Sequence, residues 1–232
     1  PWAHEMPDPV SKVTWDNYLS VAMADAKSNG WELGDMVSVS TANGKYDLPV
    51  LIQPGQSKGT FGIALGYGRV LPPEVQNDLK DLGQNVYPLV DIKGGFANYI
   101  ISGVTIEKIA GAALHEFGMT QSHYSIEGRD IVREASLNAY KNDKKAGNSF
   151  HKPQPISLWS SHDYSKGHHW GMSIDLNSCT GCSACIVSCS IENNVPIVGR
   201  DEIRRRREMH WLRIDRYYSF EVPESKDLEM SI

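Results

Sequence analysis

What this chain lacks narrows its class first. No apolar run nears the length of about eighteen residues that reads as a bilayer-spanning helix, so any membrane contact is expected through partner subunits. The first residues carry no signal-peptide pattern. Excess charge is small: 23 Lys+Arg against 28 Asp+Glu give a net charge of −5. That balance excludes the basic footprint of a nucleic-acid binder. No C-x-x-C-H occurs, so any covalent c-type haem is expected on another subunit. No Ser/His/Asp triad and no paired-carboxylate site stands out, so the chain is not expected to break bonds by itself. Cysteine is scarce, with four in 232 residues.

What is present is the placement of those four. Cys179, Cys182, Cys185 and Cys189 fall within eleven residues, spaced C-x2-C-x2-C-x3-C. This is the spacing of a bacterial ferredoxin run, whose thiolates hold an iron–sulfur cluster. Two alternatives compete. Cysteines three apart sit poorly for an unstrained disulfide, and a long cysteine-poor chain is not a stapled scaffold. Structural zinc usually draws on two C-x2-C knuckles a dozen or more residues apart. Gly181, Ser183 and Ala184 are small, so the backbone can wrap closely around a cluster. In two-cluster ferredoxins the fourth cysteine of such a run serves the other cluster. Either one cluster takes all four thiolates here, or Cys189 reaches a second and the chain is part of something longer. The ends, Pro1-Trp2-Ala3-His4 and Met230-Ser231-Ile232, also suggest a piece cut from a longer protein.

Local patterns predict an α+β, mostly β chain. Trp15, Tyr18, Leu19, Ala22 and Ala26 recur at helical spacing and predict a helix over 14–29, stopped by Asn29-Gly30. Residues 35–52 predict a hairpin around Asn43-Gly44, and Thr60–Leu65 another strand. Gly66-Tyr67-Gly68-Arg69 reads as a turn rather than a phosphate loop. Pro72-Pro73 opens a predicted short helix to Leu82, and 99–109 holds one or two short strands. Residues 126–168, polar and turn-rich, read as a linker. Trp170–Leu176 and His210–Tyr217 read as strands flanking the cysteine loop, half of a ferredoxin-like module. The run Arg204–Arg207 reads as a solvated or interface loop paired with acids, and His168-His169 as surface histidines.

Two blocks carry a resemblance. The segment from Trp170 through Cys185, with Glu192-Asn193-Asn194-Val195-Pro196, looks like the first cluster motif of polyferredoxin subunits serving molybdopterin oxidoreductases. The stretch from Arg204 through Glu208-Met209-His210-Trp211-Leu212-Arg213 to Tyr217 resembles the iron–sulfur B subunit of bacterial alternative complex III. In the N-terminal half, Gly34-Asp35-Met36-Val37-Ser38-Val39 with Asn43-Gly44, Pro49, Pro54-Gly55 and Leu65-Gly66-Tyr67-Gly68 looks like the C-terminal, six-stranded barrel domain of molybdopterin enzymes. Ser190 stands where small ferredoxins carry proline.

The resemblance implies a barrel domain over 1–125, without molybdopterin, the linker over 126–168, and the first part of a ferredoxin-like [4Fe-4S] domain over 169–232. It implies [4Fe-4S] clusters, and a [3Fe-4S] cluster in the full-length subunit. It implies an integral membrane quinol-binding subunit and a multihaem cytochrome c subunit as partners. The location implied is the periplasmic side of the bacterial inner membrane. Electrons would pass from quinol through the clusters to c-type haems. The alternatives are an iron–sulfur subunit of a molybdopterin-dependent reductase of polysulfide or DMSO reductase type, and a zinc-bound structural module.

Overall fold

The computed structural model describes residues 2–69, 82–148 and 156–218. These divide into two compact units, 2–122 with 181–216, and 123–180 with 217–218. The predicted helix after Pro72-Pro73 lies outside the described residues.

The first unit is organised by a mixed sheet. Its strands are β2 (Leu19–Ala22), β3 (Met36–Thr41), β4 (Gly44–Gln53), β5 (Phe61–Ile63) and β8 (Thr105–Lys108), in the spatial order β5-β2-β4-β3-β8. β2 runs parallel to β4, with Leu19 opposite Val50, and antiparallel to β5. The predicted hairpin is β3–β4. Thr41 pairs with Gly44, so the two-residue loop is Ala42-Asn43, one position earlier than the Asn-Gly signal suggests. The outer strands β5 and β8 have no further partner among the described residues.

The helix expected over 14–29 forms only in its second half. Leu19–Ala22 is a strand and α2 is Met23–Asn29, ended by Gly30 at φ 64. β2 is flanked on both sides by strands and three of its four residues are buried, Ser20 being the partly exposed one. So short a stretch, with Leu19, Val21 and Ala22 apolar, suits a buried strand as well as a helix. Leu19, Val21, Val37, Val39, Leu48 and Val50 form the core under the sheet, and Ala26 of α2 packs on it.

Around this sheet lie smaller elements. α1 is Trp2–Glu5, and β1 (Val13–Thr14) pairs with β9 (Gly118–Met119). β6 (Asp91–Lys93) and β7 (Phe96–Asn98) form an exposed hairpin whose loop glycines, Gly94 and Gly95, both have positive φ. That is the turn geometry matching strand twist. The C-terminal part of the unit adds α4 (Ala184–Glu192) and α5 (Arg200–Arg204).

In the second unit, α3 (Leu137–Asn142) is capped by the Ser136 hydroxyl, which accepts from the Ala139 N–H at 3.2 Å. Tyr124 and Tyr218 rings lie 5.9 Å apart, and the Tyr218 N–H donates to the Tyr124 carbonyl. The strand expected at 170–176 is irregular here. Trp170, Met172, Ile174 and Leu176 are all exposed, with no partner strand among the described residues. The strand expected at 210–217 is also irregular in its described part. In the first unit that segment is tethered by side chains rather than by a backbone ladder. Arg213 donates to the Thr120 carbonyl, and Gln121 bonds both the N–H and the carbonyl of Arg216.

Candidate metal centre

The four cysteines are free thiols, with no disulfide among them. Cys179, Cys182 and Cys185 are exposed and Cys189 is partly so.

Cys179 belongs to the second unit. It follows a tight turn built on Asp175, whose carbonyl accepts from the Ser178 and Cys179 N–H groups. The Asp175 carboxylate accepts from the Asn177 N–H at 2.9 Å and the Ser178 hydroxyl at 2.9 Å. These bonds, the hydroxyl first, hold its pKa below the usual carboxylate value.

Cys182, Cys185 and Cys189 belong to the first unit. Gly181 turns the chain at φ 71, with Pro9 so close that a Cβ would lie 3.2 Å from it. Ser183, buried at φ 60, turns it again and sets α4. Cys185 and Cys189 are four apart on this helix and share a face. Cys182 precedes the first turn, three residues from Cys185. The first-turn N–H groups and the helix dipole favour negative charge there, as thiolate ligands need. Ile186 is the buried anchor of α4, one position along from Cys185.

Asn193 is the residue that sequence reasoning missed. It ends α4, and its Nδ2 donates to the Cys189 carbonyl at 2.9 Å and reaches the Cys189 Sγ at 3.5 Å. A side-chain amide four residues after a helical cysteine was the available signal.

Among the described residues, no three His, Cys, Asp or Glu side chains gather about one point to hold a metal ion. A cluster distributes its ligands over several irons, so it does not require that convergence. The chemistry of the donor set, free and accessible thiols at ferredoxin spacing, fits an iron–sulfur cluster. In the first unit, Cys182 just before α4 and Cys185 and Cys189 on it would be its ligands. A bound cluster would supply reversible one-electron transfer.

The segment after the cysteines is latched to the N-terminal part. Glu5, 3% exposed, accepts from the Val198 N–H at 2.9 Å and the Gly199 N–H at 2.7 Å. Asp16 takes Arg200 Nη1 at 2.7 Å and His115 Nε2 at 3.0 Å. Arg204 donates to the Glu116 carbonyl and pairs with Asp201. Arg206 donates to the Met119 carbonyl, while Arg205 and Arg207 both pair with Glu202. The arginine run is thus spent within its own unit, as the sequence reading of acid-paired arginines expects. His168 and His169 are exposed.

No family model matches the chain. Short segments do have relatives. Over 43 residues the chain is 46% identical to the menaquinone reductase iron–sulfur cluster-binding subunit of Nitratidesulfovibrio vulgaris. Over 35 residues it is 51% identical to the B subunit of tetrathionate reductase from Salmonella typhimurium. These segments are 18% and 15% of this chain and 16% and 14% of the relatives' lengths. The chain thus carries a segment of the kind found in iron–sulfur subunits of reductases. No helix of the described residues is long and apolar enough to cross a membrane.

Proposed function

We propose that this chain is an electron-transfer subunit of a quinone-linked, membrane-associated oxidoreductase, and that Cys179, Cys182, Cys185 and Cys189 ligate its iron–sulfur cluster. The carrying observation is the C-x2-C-x2-C-x3-C run, three of whose thiols are set by the left-handed Gly181 and Ser183 at the head of α4. Similarity to an iron–sulfur subunit of a menaquinone reductase supports the link to quinone.

The finer reading is the B subunit of alternative complex III. An integral membrane subunit would oxidise quinol, and a multihaem cytochrome c subunit would receive the electrons. The chain would sit on the periplasmic side of the inner membrane, in a longer subunit carrying [4Fe-4S] clusters and a [3Fe-4S] cluster. Its N-terminal half would be a barrel of molybdopterin-enzyme type without the pterin. A second reading is an iron–sulfur subunit of a molybdopterin-dependent reductase complex, and similarity to a tetrathionate reductase subunit supports its reductase part.

Iron and acid-labile sulfide counts with EPR on the intact complex test the first statement. A cluster signal unchanged by Cys182→Ser would sink it. Stoichiometric molybdenum in that complex would select the second reading over the first.

A further inference from the structure

Against α4 in the first unit lies a cavity of about 230 Å³, lined in part by Lys12, Ile186, Glu208, His210, Arg213 and Asp215. A smaller cavity shares Ile186 and His210 and adds Glu5, Val187 and Ser190. His210 therefore stands between two cavities that border Ile186, Val187 and Ser190 of α4, the helix that also carries Cys185 and Cys189.

Its polar atoms are out of solvent contact. Neither ring nitrogen of His210, nor Oε2 of Glu208, has a hydrogen-bond partner among the described residues. Buried polar atoms are normally satisfied by protein or by ordered water. The larger cavity has room for several waters and polar side chains to hold them.

Charged groups face His210 from each surrounding segment. Glu5 comes from α1, and Lys12 from the loop before β1. Glu208, Arg213 and Asp215 come from its own segment. Burial lowers the His210 pKa from its ordinary value, while Glu5 and Glu208 pull it back up and Arg213 adds to the lowering. Burial likewise lowers that of Lys12, with Asp215 and Asp8 opposing, and its amine donates to the Ile214 carbonyl. From α4, only the uncharged Ile186, Val187 and Ser190 border these cavities.

We propose that His210 is a redox-linked proton acceptor, taking one proton from solvent through this cavity when the cluster held by α4 gains one quinol-derived electron. The proton joins a free ring nitrogen, no other bond forms or breaks, and reoxidation returns it. This rests on the cluster reading above. The added electron makes the cluster more negative and raises the affinity of His210 for a proton. Low pH therefore favours reduction.

The test is an EPR-monitored potential titration of the intact, cluster-loaded complex from about pH 5 to about pH 8, where imidazole titrates. The midpoint potential should fall with rising pH, approaching about 59 mV per unit for one proton per electron, and flatten outside the window. His210→Gln should abolish the slope. Glu208→Gln removes an anion that favours imidazolium, and should move the window to lower pH. A flat profile in the unsubstituted protein overturns the proposal, and so does a slope that survives His210→Gln. If that variant loses its cluster, the unsubstituted profile and the Glu208→Gln shift decide. Absence of iron and sulfide overturns the cluster reading and this one together, whereas a cluster with a pH-independent potential overturns this one alone.

Discussion

Asp16 Oδ1 holds Arg200 Nη1 at 2.7 Å, across 184 residues of sequence. Asp16 is 2% exposed, and its other oxygen takes His115. Arg200 opens α5, so this carboxylate fastens the segment after the cysteine helix onto the N-terminal part of the unit. Removing one partner of a buried pair leaves an uncompensated charge, which costs about 3–5 kcal/mol. Asp16→Ala should lower unfolding stability by about that much. Denaturant titration measures it, and a cycle with Arg200→Met should show coupling above about 1 kcal/mol.

Glu5 acts on the same segment through backbone rather than charge. Its carboxylate satisfies the Val198 and Gly199 N–H groups, the second at the N-cap of α5. Glu5→Ala leaves those donors without their acceptor, at a cost of about 1–3 kcal/mol. Hydrogen exchange should accelerate at the Val198 and Gly199 amides. Unchanged protection there would show that the latch is unimportant.

These latches explain what the sequence could and could not disclose. The β3–β4 hairpin was legible because alternation and a turn residue are local. The cysteine spacing was legible because its chemistry is written within eleven residues. The pairing of Glu5 with Gly199, or Asp16 with Arg200, leaves no local periodicity. The helix predicted over 14–29 failed at Leu19–Ala22 for a related reason. Four residues are too few for period alone to decide, and it is the pairing with β4 and β5, distant in sequence, that makes Leu19–Ala22 a strand. Asn193 was missed because its role depends on the geometry at the end of α4.

Gly34 offers a backbone test. It sits at φ 83, where a Cβ would lie 2.3 Å from the His115 carbonyl oxygen. The Gly34 carbonyl also accepts from the His115 N–H at 2.8 Å. Gly34→Ala therefore combines a clash with left-handed backbone, which itself costs about 1–3 kcal/mol. The expected result is a loss of at least that size in denaturant titration. A smaller loss would mean that the backbone at His115 moves aside easily.

Asp175 gives a pH dependence with a definite sign. Its folded pKa lies below the ordinary value through the Ser178 hydroxyl and the Asn177 N–H. Its contribution to the turn before Cys179 is present above the ordinary carboxylate pKa. It is lost as pH falls through the lowered folded value. NMR of the Asn177 and Ser178 amides should show the turn opening only on the acid side of the ordinary aspartate range. Asp175→Asn should remove that acid transition, and persistence of the transition would assign it to another group.

Asn193 and Cys189 carry the prediction closest to electron transfer. The Asn193 amide approaches the Cys189 sulfur at 3.5 Å. Hydrogen bonds to cluster sulfurs stabilise the more negative, reduced state and so raise the potential. Asn193→Ala keeps the backbone N–H that closes α4 but deletes this donor. A differential of about 0.5–1.5 kcal/mol for one hydrogen bond corresponds to a drop of about 20–60 mV in a one-electron couple. Potentiometric EPR should find the drop in the cluster that Cys189 ligates, with iron content unchanged. If two clusters are present, only one should respond, and its identity assigns Cys189 to that cluster. Equal potentials before and after substitution would remove Asn193 from the tuning of the site.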